Sequence, residues 1–291
     1  MKRRTGACFH HVYIKGLEDN LIYRDRGDFI SGMNYVALCT FCCGVSLLAF
    51  TLMSNHFHFI IYGTPEEAKK FIDLYKYHMS RYSSRKYGVS HLLRRVGTGY
   101  RPIENSNDAL RTAIAYVVRN HISAGINQSV QGYEWSSGYC YFAGTDLLEG
   151  SVSVSSIGIR KYRNIMHTKT KLDSSYKINS KGYIEPASYV CIDFVESCFG
   201  RVQSLDYYIY KAGSARSKEG PVDFSDEFVI TGLKEILDKK YGAEWIDAID
   251  EKSKRDVLLM VRRQFNCSPK QLARTMQMSI KEVTSMLTID I

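Results

Sequence analysis

From Tyr35 to Met53 the chain carries no charged side chain, and the segment Asn55-His56-Phe57-His58-Phe59-Ile60-Ile61-Tyr62 follows almost at once. An uncharged run of that length approaches the ~20 residues of a membrane-spanning helix. Gly44 and Ser46 interrupt it, however, and its second half, Leu47 to Met53, leads straight into the alternation of histidine with phenylalanine. The pattern therefore predicts a helix, a turn and a buried strand rather than a span, because glycine stops helices and a period of two marks strands.

Further strands and helices are expected to alternate through residues 1–145, as in a compact α/β or α+β domain. Cys8 to Ile14 is short and rich in aromatic and β-branched residues, and Asn55 to Tyr62 ends at the turn Gly63-Thr64-Pro65. Asp28 to Cys39 reads as a helix. Pro65-Glu66-Glu67 opens a second, reaching about Lys86, with proline at N1 and an acidic first turn; Asn107-Asp108 caps a third that ends near Gly125.

After Trp135-Ser136-Ser137 the sequence turns rich in glycine and serine, which sets the first boundary. Residues 146–225 form a middle region with no legible role, closing in a linker at Ala212 to Pro221. Residues 226–291 are helical. Within them Ser268-Pro269-Lys270-Gln271-Leu272-Ala273-Arg274 and Ser279-Ile280-Lys281-Glu282-Val283 resemble the two helices of a helix-turn-helix, each opened by a capping serine. Such a motif docks its second helix in the major groove, with Lys270, Arg274 and Lys281 as phosphate contacts.

With 45% hydrophobic residues the chain can fill a real core, and 39 Lys+Arg against 30 Asp+Glu give a formal charge of +9 that suits a polyanion such as nucleic acid. The eight cysteines are scattered. Cys39, Cys42 and Cys43 have no second Cys/His pair at zinc-finger spacing nearby, so all are read as reduced core thiols. Met1-Lys2-Arg3-Arg4 is not followed by an apolar run, and a cytoplasmic, non-membrane protein is expected.

Two spacings point to chemistry. On a strand, His56 and His58 share one face while Phe57 and Phe59 take the other, which makes a metal clip. On a helix, Tyr116 and Asn120 project from one face a turn apart. Either spacing alone is commonly packing, since aromatics fill cores and histidine pairs occur by chance.

Together, Leu52-Met53-Ser54-Asn55-His56-Phe57-His58-Phe59-Ile60-Ile61, Tyr116-Val117-Val118-Arg119-Asn120 with Ala124-Gly125, and Tyr133-Glu134-Trp135-Ser136-Ser137 resemble the single-tyrosine HUH transposases, in particular the REP-associated tyrosine transposases. With His11-Val12 and Gly16 in the first strand, the resemblance covers about residues 8–143. It implies a ferredoxin-like, RRM-like domain of α+β class, with a central antiparallel sheet flanked by helices. It also implies that Tyr116 is a covalent nucleophile, that His56, His58 and Asn120 hold Mg²⁺ or Mn²⁺, and that the substrate is single-stranded, hairpin-bearing DNA cut through a 5′-phosphotyrosine. A monomer is favoured over a homodimer. The chain departs from the family at Ser54, where proline is usual, and at Ser123, where arginine is usual; His121 reads as a helix-end residue rather than a replacement charge.

The run Arg81-Tyr82-Ser83-Ser84-Arg85-Lys86-Tyr87, with Arg94, Arg95 and Arg101 behind it, interleaves cations with rings as a strand-binding surface does. Tyr13, Phe57 and Tyr100 are candidates for stacking on bases. The alternative function is a DNA-binding regulator that keeps this fold without catalysis.

Overall fold

A computed structural model describes residues 4–14, 17, 20–89, 92–94, 96–124, 129–213, 224 and 226–288. Four strands build its main sheet: β1 (Cys8–Ile14), β2 (Ser46–Met53), β3 (His56–Gly63) and β4 (Thr98–Pro102). The order is β2-β3-β1-β4, antiparallel throughout. Thus β3, the strand with His56 and His58, lies inside the sheet between β2 and β1.

The uncharged stretch divides between α1 (Arg26–Cys43) and β2. Asp25 and Asp28 close the start of α1 reciprocally, each carboxylate accepting from the other's backbone N–H, and Gly44 ends it at φ 64. Left-handed backbone of that kind costs glycine little. Helix α2 (Pro65–Tyr87) begins with the same reciprocal closure by Thr64 and Glu67 and stops at Gly88. No described helix is long and apolar enough to cross a membrane; most of α1 is buried because protein, not lipid, covers it.

Alternation along β3 sorts the helices onto two faces. Phe57 and Phe59 meet Tyr75 and Phe71 of α2, at 4.8 and 5.0 Å between ring centroids. On the other face, Thr51 Oγ1 donates to the carbonyl of Val117 in α3 (Asn107–Val118) at 2.7 Å. The expected third helix is broken, and Ser106 rather than Asn107 caps it. After Arg119, at φ −91° and ψ 0°, a separate single turn follows as α4 (Asn120–Ser123).

The 146–213 stretch packs on this domain rather than trailing from it. It carries β5 (Val152–Ser153), α5 (Ile159–Met166), β6 (Lys177–Ile178), α6 (Ile192–Phe199) and α7 (Val202–Gly213). One hydrophobic cluster runs from Val12 to Tyr208. Buried Asn34 ties the two together, its amide donating to the Gly182 carbonyl at 3.2 Å and accepting from the Ile184 N–H at 2.9 Å. Most of the expected linker lies outside the described residues.

A second cluster, from Val229 to Val283, belongs to α8 (Asp226–Tyr241), α9 (Glu251–Phe265), α10 (Pro269–Met276) and α11 (Ile280–Thr288). The expected helix pair is present. Ser268 caps α10, Gln277 ends it at φ 56, and Ser279 exchanges hydrogen bonds with Glu282 at the start of α11. Asp226 joins this unit to the sheet: its buried carboxylate accepts from Arg274 Nε at 2.7 Å, from Gln271 Nε2 at 3.1 Å, and from Ser54 in the β2–β3 turn.

Candidate active site

The face of β3 opposite α2 gathers the candidate residues. Tyr116 stands on α3 with 43% of its surface exposed. Its ring meets His58 edge-on at 5.6 Å between centroids, and meets His11 of β1 at 5.7 Å. Exposure and contact together leave the phenol open to solvent on one side and packed on imidazoles on the other.

Asn120 reaches the same point by another route than the sequence suggests. It does not follow Tyr116 on one continuous helix. Because α3 stops at Val118, Asn120 opens α4, and its Nδ2 donates back to the Tyr116 carbonyl at 3.1 Å. That bond turns its Oδ1 toward His56 Nε2, 3.3 Å away. On the far side of the same imidazole, Nδ1 lies 2.8 Å from Asn55 Oδ1, and Asn55 is oriented by its own Nδ2 donating to the Leu17 carbonyl at 2.9 Å. The Asn55 oxygen can only accept, so it takes a proton from Nδ1, while His56 Nε2 faces the Asn120 oxygen either as a donor, when the ring is protonated, or with its lone pair, when it is neutral. In the neutral ring the two lone-pair atoms repel unless a cation lies between them.

His58 is arranged to match. Its Nδ1 is 3.0 Å from His11 Nε2, which leaves Nε2 as the nitrogen for any ligand. Burial, with His56 and His11 adding their charges, pushes the His58 imidazole well below its ordinary range. Burial and then Arg101 bring His11 down to about 4. Both rings are therefore neutral near pH 7, as metal ligation requires. His56, His58 and Asn120 are the residues that could hold a divalent cation here, through two imidazole nitrogens and an amide oxygen, and imidazole suits Mn²⁺ better than Mg²⁺. Among the described residues no group of three or more His, Cys, Asp or Glu forms a metal cluster; the third candidate donor is an amide oxygen.

Around the site, Tyr13 stacks on His58 at 5.5 Å, and Arg101 lies over the Tyr13 ring at 5.8 Å. Gly99 makes room for that ring, since a Cβ there would lie 2.2 Å from Tyr13 Cζ. Arg119, next to Asn120, donates through Nη1 to Ser123 Oγ at 2.7 Å, so a guanidinium leans on the position that holds serine in this chain. His121 is fully buried, stacked on Tyr133 at 4.4 Å and brought by burial to about 4; it supplies no charge. The Tyr133–Ser137 motif is a brace for β2: Tyr133 donates to the Leu52 carbonyl at 2.7 Å, and Trp135 stacks on Phe29 at 4.9 Å.

Several expected DNA contacts are placed elsewhere. Phe57 is fully buried against α2, and Tyr100, opposite Val12 in the β1–β4 register, shares that face of the sheet, so neither stacks on a base at this site. Lys86 is occupied, its Nζ 2.6 Å from both Asp25 and Asp28. Arg274, only 5% exposed, is committed to Asp226 and does not face solvent. Arg81 and Arg85 lie on α2, across the sheet from Tyr116. Arg94, Arg101, Lys270 and Lys281 are exposed, and Arg95 lies outside the described residues. His11 and Asn55 were not singled out as site residues from sequence; the period-two spacing of His11 and Tyr13 was the available signal for the first.

No family model and no curated protein matches the chain. Among solved structures, a REP-associated tyrosine transposase bound to a REP hairpin aligns over 49% of this chain and 85% of its own, at a TM-score of 0.35 and 13% identity. A similarity at that TM-score assigns neither fold nor function.

Proposed function

We propose that this chain cleaves and rejoins single-stranded DNA, with Tyr116 as nucleophile and His56, His58 and Asn120 as ligands of Mn²⁺ or Mg²⁺. The observation that carries the proposal is the exposed Tyr116 ring set against His58, with His56 beside it and His56 Nε2 3.3 Å from Asn120 Oδ1. The order β1-α1-β2-β3-α2-β4 supports assigning the sheet to the ferredoxin-like arrangement that the sequence resemblance implies.

In the reaction the Tyr116 oxygen attacks a backbone phosphorus, the bond from phosphorus to the 3′ oxygen breaks, and that oxygen leaves as a 3′-hydroxyl. The product is a 5′-phosphotyrosine, and a second strand's 3′-hydroxyl reverses the step, so joining consumes no nucleotide. The phenol's exposed side lets its proton pass to water. His11 and His58, neutral and hard to protonate, serve as lone-pair donors and packing rather than as proton stores. When bound, the cation supplies Lewis-acid neutralisation of the scissile phosphate. Arg101 and Arg119 place fixed positive charge beside the site. Tyrosine and ligands come from one chain, which favours a monomer. The exposed cations Lys270 and Lys281 of the C-terminal helix pair are proposed to contact DNA phosphates.

A labelled hairpin oligonucleotide incubated with the protein and Mn²⁺ is expected to give a denaturant-resistant adduct that Tyr116→Phe abolishes. An adduct of equal yield from Tyr116→Phe removes Tyr116 from the mechanism, and tight binding with no adduct under any metal favours a regulator instead.

A further inference from the structure

Across the sheet from Tyr116, Arg81 and Arg85 stand one turn apart on α2 and face α5 over a groove of about 750 Å³. His78, Arg163, His167 and Lys169 also line it, the remaining lining residues, Asn164 and Thr168, are uncharged, and no carboxylate is among them. Four cations held this close without a counter-charge repel one another, a cost that an anion between them removes. The histidines do not contribute charge near neutral pH. Burial, then Arg81 and Arg85, bring His78 down to about 4, and burial, then Arg85, lowers His167.

The occupant has to be an extended polyanion. Guanidiniums at separate points on two helices match several phosphates in a row better than a single one, since each fork grips one phosphate. At the rim, Tyr77 is 51% exposed, with Arg81 hydrogen-bonded to its hydroxyl at 2.8 Å and 5.4 Å from its ring centre. An exposed ring beside a cationic track is the arrangement that stacks a base while the backbone follows the charge.

We propose that the α2–α5 groove binds the phosphodiester backbone of a single DNA strand, at a second site on the sheet face away from Tyr116. The identity of the polyanion rests on the strand-transfer function proposed for Tyr116, whereas none of the residues in the groove belongs to that chemistry. The 146–213 stretch thereby gains a role: α5 supplies half of a channel that holds strand outside the cutting site.

The test uses the full chain carrying Tyr116→Phe, so that binding is read without covalent capture. Anisotropy of a labelled hairpin oligonucleotide with single-stranded flanks is followed across a salt series, with and without Arg163→Gln and Lys169→Gln. Both residues are exposed, and a melting curve checks that the fold is kept. The expected result is about a tenfold loss of affinity at low salt and a salt slope smaller by ~1.4, at ~0.7 per lost contact to a single strand. Equal affinity and slope, or no DNA binding by the Tyr116→Phe chain, overturns the proposal. Failure of the unsubstituted protein to form an adduct sinks strand transfer and leaves this binding difference readable.

Discussion

The Oδ1 of Asn120 lies 3.3 Å from Nε2 of His56, although the two residues are 64 positions apart and sit on different layers of the fold. Each can hold a metal ion through a lone pair when the His56 nitrogen carries no proton. Asn120→Ala is therefore expected to weaken Mn²⁺ binding about tenfold or more by calorimetry, in the range seen when metal-site partners are removed. Asn120→Asp, which keeps an oxygen at that point, retains binding. Unchanged affinity in the alanine variant excludes Asn120 as a ligand.

Acid is expected to destabilise the fold through its buried histidines. His11, His78 and His121 are each brought from 6.5 to about 4, chiefly by burial. Between those values the unfolded chain binds more protons than the folded one, so stability falls as pH drops from about 6.5 toward about 4. Thermal melts at stepped pH should show the midpoint falling in that window. A flat profile there means these rings are hydrated in solution.

The Asp226–Arg274 pair should behave as a structural joint. With Asp226 4% and Arg274 5% exposed, Arg274→Ala strands a buried carboxylate, a change that costs about 3–5 kcal/mol when one partner of a buried pair is removed. Urea denaturation of the full chain measures it. A loss below about 1 kcal/mol, the range of exposed pairs, shows the pair to be solvated instead.

Gly99→Ala offers a probe of the site from outside it. The new methyl would sit 2.2 Å from Tyr13 Cζ and must push the ring off His58. Adduct yield is expected to fall several-fold, while stability drops by about 1–3 kcal/mol, as for other overpacked positions. Full yield with a normal melting curve shows that Tyr13 does not set the site's geometry.

The sequence was most legible where the signals were local. Cys8–Ile14 is the strand its residue types imply, and the start of α2 at Pro65 follows from proline at N1 and the acidic first turn of Glu66 and Glu67. The pairing of His56 with His58 on one face needed only the strand period. What was hidden depends on distant partners. The break at Arg119 is held by Asn120 reaching His56 and by His121 stacking on Tyr133. Lys86 and Arg274 read as solvent-facing cations because their carboxylates, Asp28 and Asp226, lie 58 and 48 residues away along the chain. The edge strand β4 escaped notice because Gly97, Gly99 and Pro102 are poor strand formers, tolerated where only one neighbour must be paired.

Asp226 also dictates where the gene can be divided. A fragment ending before it leaves the Ser54 hydroxyl of the β2–β3 hairpin without its acceptor, two positions from His56. A fragment beginning at Phe224 keeps Arg274 on Asp226 and Gln271 on both Asp226 and the Phe224 carbonyl. The cut is thus asymmetric: the helical half keeps these buried bonds within itself, whereas the half bearing Tyr116 loses the acceptor of the Ser54 hydroxyl two positions from His56.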